Sequence, residues 1–118
     1  NYMSEKFALF AFNGEECCFL HVMLNALEMN EKGYDIRVII EGKACKLAGE
    51  FRNKENSRSK LYKEFFDAGL IDCFCEACSN MMGTLEKVKE LGVPLCNEMK
   101  GHVSMEKYIK QGYTIITF

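Results

Sequence analysis

Apolar residues recur along this chain in two alternating rhythms. Lys6 to Phe12 (KFALFAF) is apolar on both faces, the pattern of a strand buried inside a parallel sheet. Asn13 reads as an N-cap with Glu16 three positions on. Leu20, Met23, Leu24 and Leu27 follow at i, i+3, i+4 and i+7, which predicts an amphipathic helix ended by Gly33. Tyr34 to Ile40 (YDIRVII) is a second strand closed by Glu41-Gly42, and a short helix is expected over about Lys43 to Phe51. Arg52 to Ser59 holds no apolar residue, so 52–59 is expected to be a mobile loop. Lys60 to Ala68 then reads as a helix, with Leu61, Phe65 and Ala68 on one face and Gly69 as its stop.

Leu70 to Phe74 is the third strand, and Cys75 marks its end. A helical turn from Glu76 to Met82 breaks at Gly83, and Thr84 caps a second piece, Leu85 to Leu91, closed by Gly92. Val93 to Cys96 is a short strand whose Pro94 suits an edge. His102 to Gln111 is expected as the last helix and Tyr113 to Phe118 as the last strand, while the polar residues 1–5 are expected to fray. Repeated strand–helix alternation implies an α/β fold: one three-layer α/β/α domain around a mainly parallel five-stranded sheet. Ligands of such sheets gather beyond the carboxyl ends of the strands, where Asn13, Glu41 with Gly42, Cys75 and Asn97 all fall.

Composition narrows the function classes. A net charge of −2 gives no basic surface for nucleic acid or anionic lipid, so neither is expected as a partner. Arg52 to Lys63 is locally basic and reads as solvated. The longest apolar run, Phe7 to Phe12, is far short of a membrane span, and the acidic residues after it are unlike a signal-peptide cleavage region. A cytoplasmic location is the expectation. Seven cysteines is an odd number, and they lie within periodic segments, which points to reduced thiols with at most one pair in chemical use. Cys17, Cys18 and Cys45 read as small core hydrophobes.

The chemistry concentrates in Cys75 and Cys78. Their C-x-x-C spacing opens a helix, so both sulfurs share one face and the first sits among unpaired helix N–H groups that favour thiolate. Glu76 and Glu41 oppose that effect, and the helix end is expected to prevail, leaving Cys75 exposed and reactive. Zinc would need four ligands drawn from Cys73, Cys75, Cys78 and either Cys96 or His102. Cys73 reads as packed within its strand and a second knuckle pair is missing, so no metal is expected. The first loop, Asn13-Gly14-Glu15-Glu16, lacks a glycine-rich phosphate pattern and places two carboxylates where phosphate would sit. No cofactor is expected. His21 reads as a helix-surface residue, whereas His102 is the histidine better placed to approach a thiolate.

Four features carry a family resemblance. They are the opening strand with its short acidic loop, the strand end Ile40-Glu41-Gly42, Cys75 followed eight residues later by Gly83, and the closing run from Met105 to Phe118 (MEKYIKQGYTIITF). From Lys6 to Phe118 the chain resembles the DsrE-like sulfur-relay family, small α/β proteins related to the TusD sulfur-transfer subunits. The resemblance implies a sulfurtransferase-like carrier, a homotrimer or homohexamer, in which Cys75 holds sulfane sulfur as a persulfide and passes it to a partner thiol. Sulfur donor and acceptor proteins are then the expected partners. From their places at the strand ends Asn13, Glu41 and Gly42, together with His102, are the positions expected to contact substrate or partner. Many relatives have a single cysteine there, so Cys78 is a departure that could resolve the persulfide into a disulfide. A thiol redox protein using the same pair, and a non-catalytic oligomeric binding module, are the alternatives.

Overall fold

Parallel pairing organises the molecule. In the computed structural model, which describes residues 5–118, five parallel strands stand in the order β4-β3-β2-β1-β5. They are β1 (Lys6–Ala11), β2 (Asp35–Ile40), β3 (Ile71–Cys75), β4 (Leu95–Cys96) and β5 (Thr114–Thr117). The helices are α1 (Glu16–Glu31), α2 (Ser59–Asp67), α3 (Glu76–Met81), α4 (Leu85–Leu91) and α5 (Glu106–Lys110), with a 3-10 helix over Gly42–Arg52. Residues 1–4 of the expected frayed end lie outside the described residues, and the carbonyl of Glu5 already accepts the N–H of Asp35 at 2.9 Å.

The chain steps one way from β1 through β4, then crosses back past β1 to β5. Right-handed crossovers put α1 to α4 on one face and α5 on the other, giving three layers. The aromatic contacts agree. Phe19 of α1 meets Phe51, Tyr62 and Phe65 on one side, while Tyr108 of α5 meets Phe10 of β1 at a centroid distance of 5.6 Å on the other. Ala8 to Phe10 and Val38 to Ile40 are 0% exposed, so the two central strands are covered on both faces. Between β2 and β3 the register slips at Val38/Ile39, and Asp72 is the extra residue. Its carboxylate meets Arg37 at 3.1 Å and accepts a short hydrogen bond from the Tyr108 hydroxyl, tying α5 to the sheet.

Several local expectations are corrected. Helix α1 starts at Glu16 with Glu15 as its cap, because the Asn13 carboxamide oxygen accepts the Glu15 N–H at 2.8 Å in a tight turn instead of capping the helix. Its buried face is Phe19, Val22, Met23 and Ala26, leaving Leu24 exposed. The period was right and the face was rotated, since residues 17–27 are apolar nearly all round and Phe19 fills the aromatic cluster. Cys17 is exposed and Cys18 half-buried, so of the three cysteines expected in the core only Cys45 lies there. The Thr84 side chain does not cap α4; its hydroxyl donates to the Cys45 carbonyl at 2.9 Å and ties α4 to the 3-10 helix. The last helix begins at Glu106, not at His102.

Residues 52–59 are held by asparagine turns, with the Asn53 and Asn56 side chains accepting the N–H groups of Glu55 and Arg58. Asn56 also reaches back to α1, donating to Glu16 at 2.7 Å, and Tyr62 donates to the same carboxylate oxygen at 2.8 Å. These two hydrogen bonds hold the Glu16 carboxyl below its ordinary pKa. A depressed carboxyl stabilises the fold fully above its unfolded pKa of about 4.3 and loses that contribution as pH falls through the lower folded value. Tyr62→Phe should therefore cost about 1.5–3 kcal/mol near neutrality, the worth of a hydrogen bond to a charged group. Its deficit in melting temperature should narrow below about pH 4, which thermal denaturation from pH 2 to 7 would read.

Candidate functional site

Parallel strands all end at one edge, and there β2 and β3 deliver the two halves of a cluster. Cys75 closes β3 and is the N-cap of α3, its sulfur accepting the Cys78 N–H at 3.5 Å. One turn on, Cys78 presents its sulfur on the same side. His102 closes the set, with Nδ1 at 3.4 Å from the Cys75 sulfur and 3.6 Å from that of Cys78. Glu41 follows the last residue of β2, and one of its carboxylate oxygens lies with both sulfurs and a His102 ring nitrogen in a group whose members are all within 4.8 Å of one another.

The loop that brings His102 in is a two-residue hairpin. Met99 and His102 exchange backbone hydrogen bonds of 2.8 and 2.9 Å. Lys100 and Gly101 between them adopt φ +51° and +94°, as a type I′ turn requires. Gly101 has a second constraint, since a Cβ there would lie 3.2 Å from that of Ala77. That closeness lets the Gly101 carbonyl accept the Ala77 N–H at 2.9 Å, docking the hairpin on the first turn of α3. Asn97 adds a clamp by donating to Glu76 at 2.9 Å. Sequence patterning missed this hairpin because Lys-Gly is a weaker turn signal than Asn-Gly or Asp-Gly; the small pair Ala77 and Gly101 was the trace it left.

Gly42 serves Glu41. At φ +53° it turns the chain out of β2, and a Cβ there would lie 3.2 Å from the Phe12 carbonyl oxygen. Glu41 is thereby folded inward and only 6% exposed. Burial, together with repulsion from Glu98, raises its carboxyl to a pKa of about 6, against a hydrogen bond from the Cys75 thiol that lowers it. Asn13 lies apart, beside Phe12, Gly14, Lys43 and Lys46 in a separate cleft beyond β1.

Cys75 sits where expected in the chain and in a different environment. It is 0% exposed, and burial, the neighbouring Cys78 and Glu41 push its thiol up to about 12, against the lowering hydrogen bond from the Cys78 N–H. The expectation of an exposed, acidified Cys75 is thus corrected: α3 has only six residues, and one N–H contact does not offset the lost hydration. The half-buried sulfur of the pair is Cys78. Cys73 and Cys96, counted from sequence as possible ligands, stand outside the cluster. Cys73 is buried with its sulfur 3.7 Å from the Tyr108 hydroxyl, and Cys96 accepts from the Lys107 ammonium at 3.3 Å. Among the described residues no helix is long and apolar enough to cross a membrane.

No family model matches the chain. Its fold is shared with a conserved protein of unknown function, BT1422, from Bacteroides thetaiotaomicron, at a TM-score of 0.73 over 100% of both chains with 21% identity. An uncharacterized protein of Archaeoglobus fulgidus is 52% identical over 42 residues, 36% of this chain and 69% of that protein. The uncharacterized protein MJ0733 of Methanocaldococcus jannaschii is 33% identical over 97 residues, covering 82% of this chain and 77% of its own length. The chain belongs to the family of MJ0733.

Proposed function

We propose that this protein is a cytoplasmic sulfur-relay carrier that works through the Cys75–Cys78 dithiol. The observation that carries the reading is the convergence of both sulfurs on the one imidazole nitrogen of His102, at the ligand-binding edge of a parallel sheet. The likeness of the chain to DsrE-like proteins supports it, with one revision. The receiving thiol is Cys78, since Cys75 is enclosed.

In this reading the Cys78 thiol passes its proton to His102 and attacks the outer sulfur of a donor persulfide. The donor's S–S bond breaks as that of Cys78 forms, and the proton goes to the departing donor thiolate. The exchange leaves a Cys78 persulfide and a donor thiol, with no net oxidation. A partner thiol discharges it by the same exchange in reverse. Attack by Cys75 on the inner sulfur would instead give a Cys75–Cys78 disulfide and release hydrogen sulfide, so the buried cysteine supplies a discharge route.

Intact mass after incubation with a small-molecule persulfide should show one added sulfur atom. Cys78→Ser should abolish the gain, and Cys75→Ser should retain it while preventing disulfide formation. A loss of two hydrogens with no sulfur-bearing species would mark a dithiol redox protein instead. Limiting alkylating reagent should label Cys17 and Cys78 before Cys75, Cys45 and Cys73, which need denaturation.

The reading includes a closed homotrimer or homohexamer. Met81, Met99 and Ile109 are 71%, 57% and 60% exposed, apolar area that an assembly or a partner would cover. Light scattering at micromolar concentration should give three or six times the chain mass, and a monomer would remove the assembly from the reading.

A further inference from the structure

We infer that Glu41, Cys75, Cys78 and His102 form a binding site for a divalent transition-metal ion, zinc foremost. The inference stands apart from the sulfur-relay reading and does not rest on it.

Geometry carries the first step. Zinc takes sulfur at about 2.3 Å and imidazole nitrogen at about 2.0–2.1 Å, so a tetrahedral ion holds S and N about 3.5 Å apart. The two separations at His102 are 3.4 and 3.6 Å, those that an ion shared by the ring nitrogen and each sulfur would impose, and the four donor atoms lie within 4.8 Å of one another. One ring nitrogen faces both sulfurs, the placement a shared ion needs, while the Cys75 thiol keeps Glu41 and the Gly101 carbonyl as hydrogen-bond acceptors when no ion is bound.

Charge carries the second step. Glu41 is 6% exposed, and among the described residues no lysine or arginine forms an ion pair with it. A buried carboxylate without a cation is costly, and the cluster around it holds two thiols and one neutral-capable imidazole but no fixed positive charge. Metal binding gives the carboxylate a direct cationic partner: the ion brings two positive charges, two S–H bonds break and two protons leave to solvent, so the net charge of the cluster is unchanged while Glu41 gains a coordination bond. Two thiolates, one imidazole and one carboxylate are a donor set for zinc, and four protein ligands make a closed site instead of one with an open position for a reacting water. The bound ion would cap both thiols.

The surroundings suit a preformed site. The Lys100–Gly101 turn fixes His102, the Ala77–Gly101 hydrogen bond fixes that hairpin on the element bearing Cys78, and Gly42 fixes Glu41. Three chain segments thus meet with their donors already inward.

The full chain, purified without chelator and dialysed against zinc, should retain one equivalent by elemental mass spectrometry. Cobalt in its place should give the intense sulfur-to-metal absorption and visible bands of a tetrahedral thiolate site. Zinc should slow alkylation of Cys78 and leave Cys17 unaffected. Cys78→Ser and His102→Ala, both at half-buried positions, should weaken zinc binding by about 100-fold or more. Only trace zinc with no cobalt thiolate band in the unmutated protein would overturn the inference, whatever the variants do. So would zinc binding that survives both substitutions in folded protein, checked by circular dichroism. If zinc fails to bind but metal-free protein gains a sulfur on Cys78, only this inference falls; if zinc binds and no sulfur is taken up, only the sulfur-relay reading falls.

Discussion

Parallel pairing is the constraint from which the rest follows. Strands that all run one way must end at the same edge, and each needs a crossover to return the chain to the start of the next. The crossovers cover both faces, which is why β1 and β2 can be apolar on both sides. They also leave the residues just past β2 and β3 side by side, since Ile40 pairs with Phe74 in the ladder. Glu41 and Cys75 are the next residues along, so their proximity is a consequence of register. Only His102 has to be brought in from elsewhere, and a two-residue turn docked on α3 does it.

How much of this the sequence disclosed depends on the range of the interaction involved. Strand positions were legible because runs such as KFALFAF and YDIRVII are too apolar to tolerate solvent on either face. The α/β class followed from their alternation with helical segments. The buried face of α1 was not legible: with Cys17 to Leu27 apolar nearly all round, periodicity cannot choose between the Leu20–Leu24 face and the Phe19–Met23 face. The choice falls to Phe51, Tyr62 and Phe65, aromatic partners far along the chain. Thr84 shows the same limit, because a threonine before a helical run looks like a cap whether or not its hydroxyl is taken by a distant carbonyl.

The site was legible in its residues and misread in its electrostatics. Cys75, Cys78, Glu41 and His102 were all singled out from position and type, and the structure gathers them within one small volume. Sequence could not weigh burial against the helix end at Cys75. The helix end offers a single N–H at 3.5 Å from a six-residue helix, while burial removes hydration from the whole sulfur and Glu41 adds negative charge nearby. Desolvation wins because it acts on every face of the group, whereas the hydrogen bond acts on one.

Glu41 is the residue on which the interpretation of the edge turns. Were the cluster only a pair of thiols beside a histidine, a buried acid would serve it only as the acceptor of the Cys75 thiol. A carboxylate next to a thiol raises that thiol's pKa and so works against nucleophilic attack. Hiding it also forfeits hydration, and among the described residues no lysine or arginine pairs with it in return. Yet the fold goes to some length to hide it, spending a left-handed glycine at Gly42 to turn the side chain inward. A carboxylate makes physical sense there as a counter-charge, either to a histidine that has taken a proton from Cys78 or to an ion held among the four donors. A transient imidazolium needs Glu41 only during proton transfer and would be served as well by a half-exposed acid. Permanent burial suits an acid that is itself a ligand of a bound ion, and that asymmetry is why the metal site and the thiol chemistry are separate claims about one cluster.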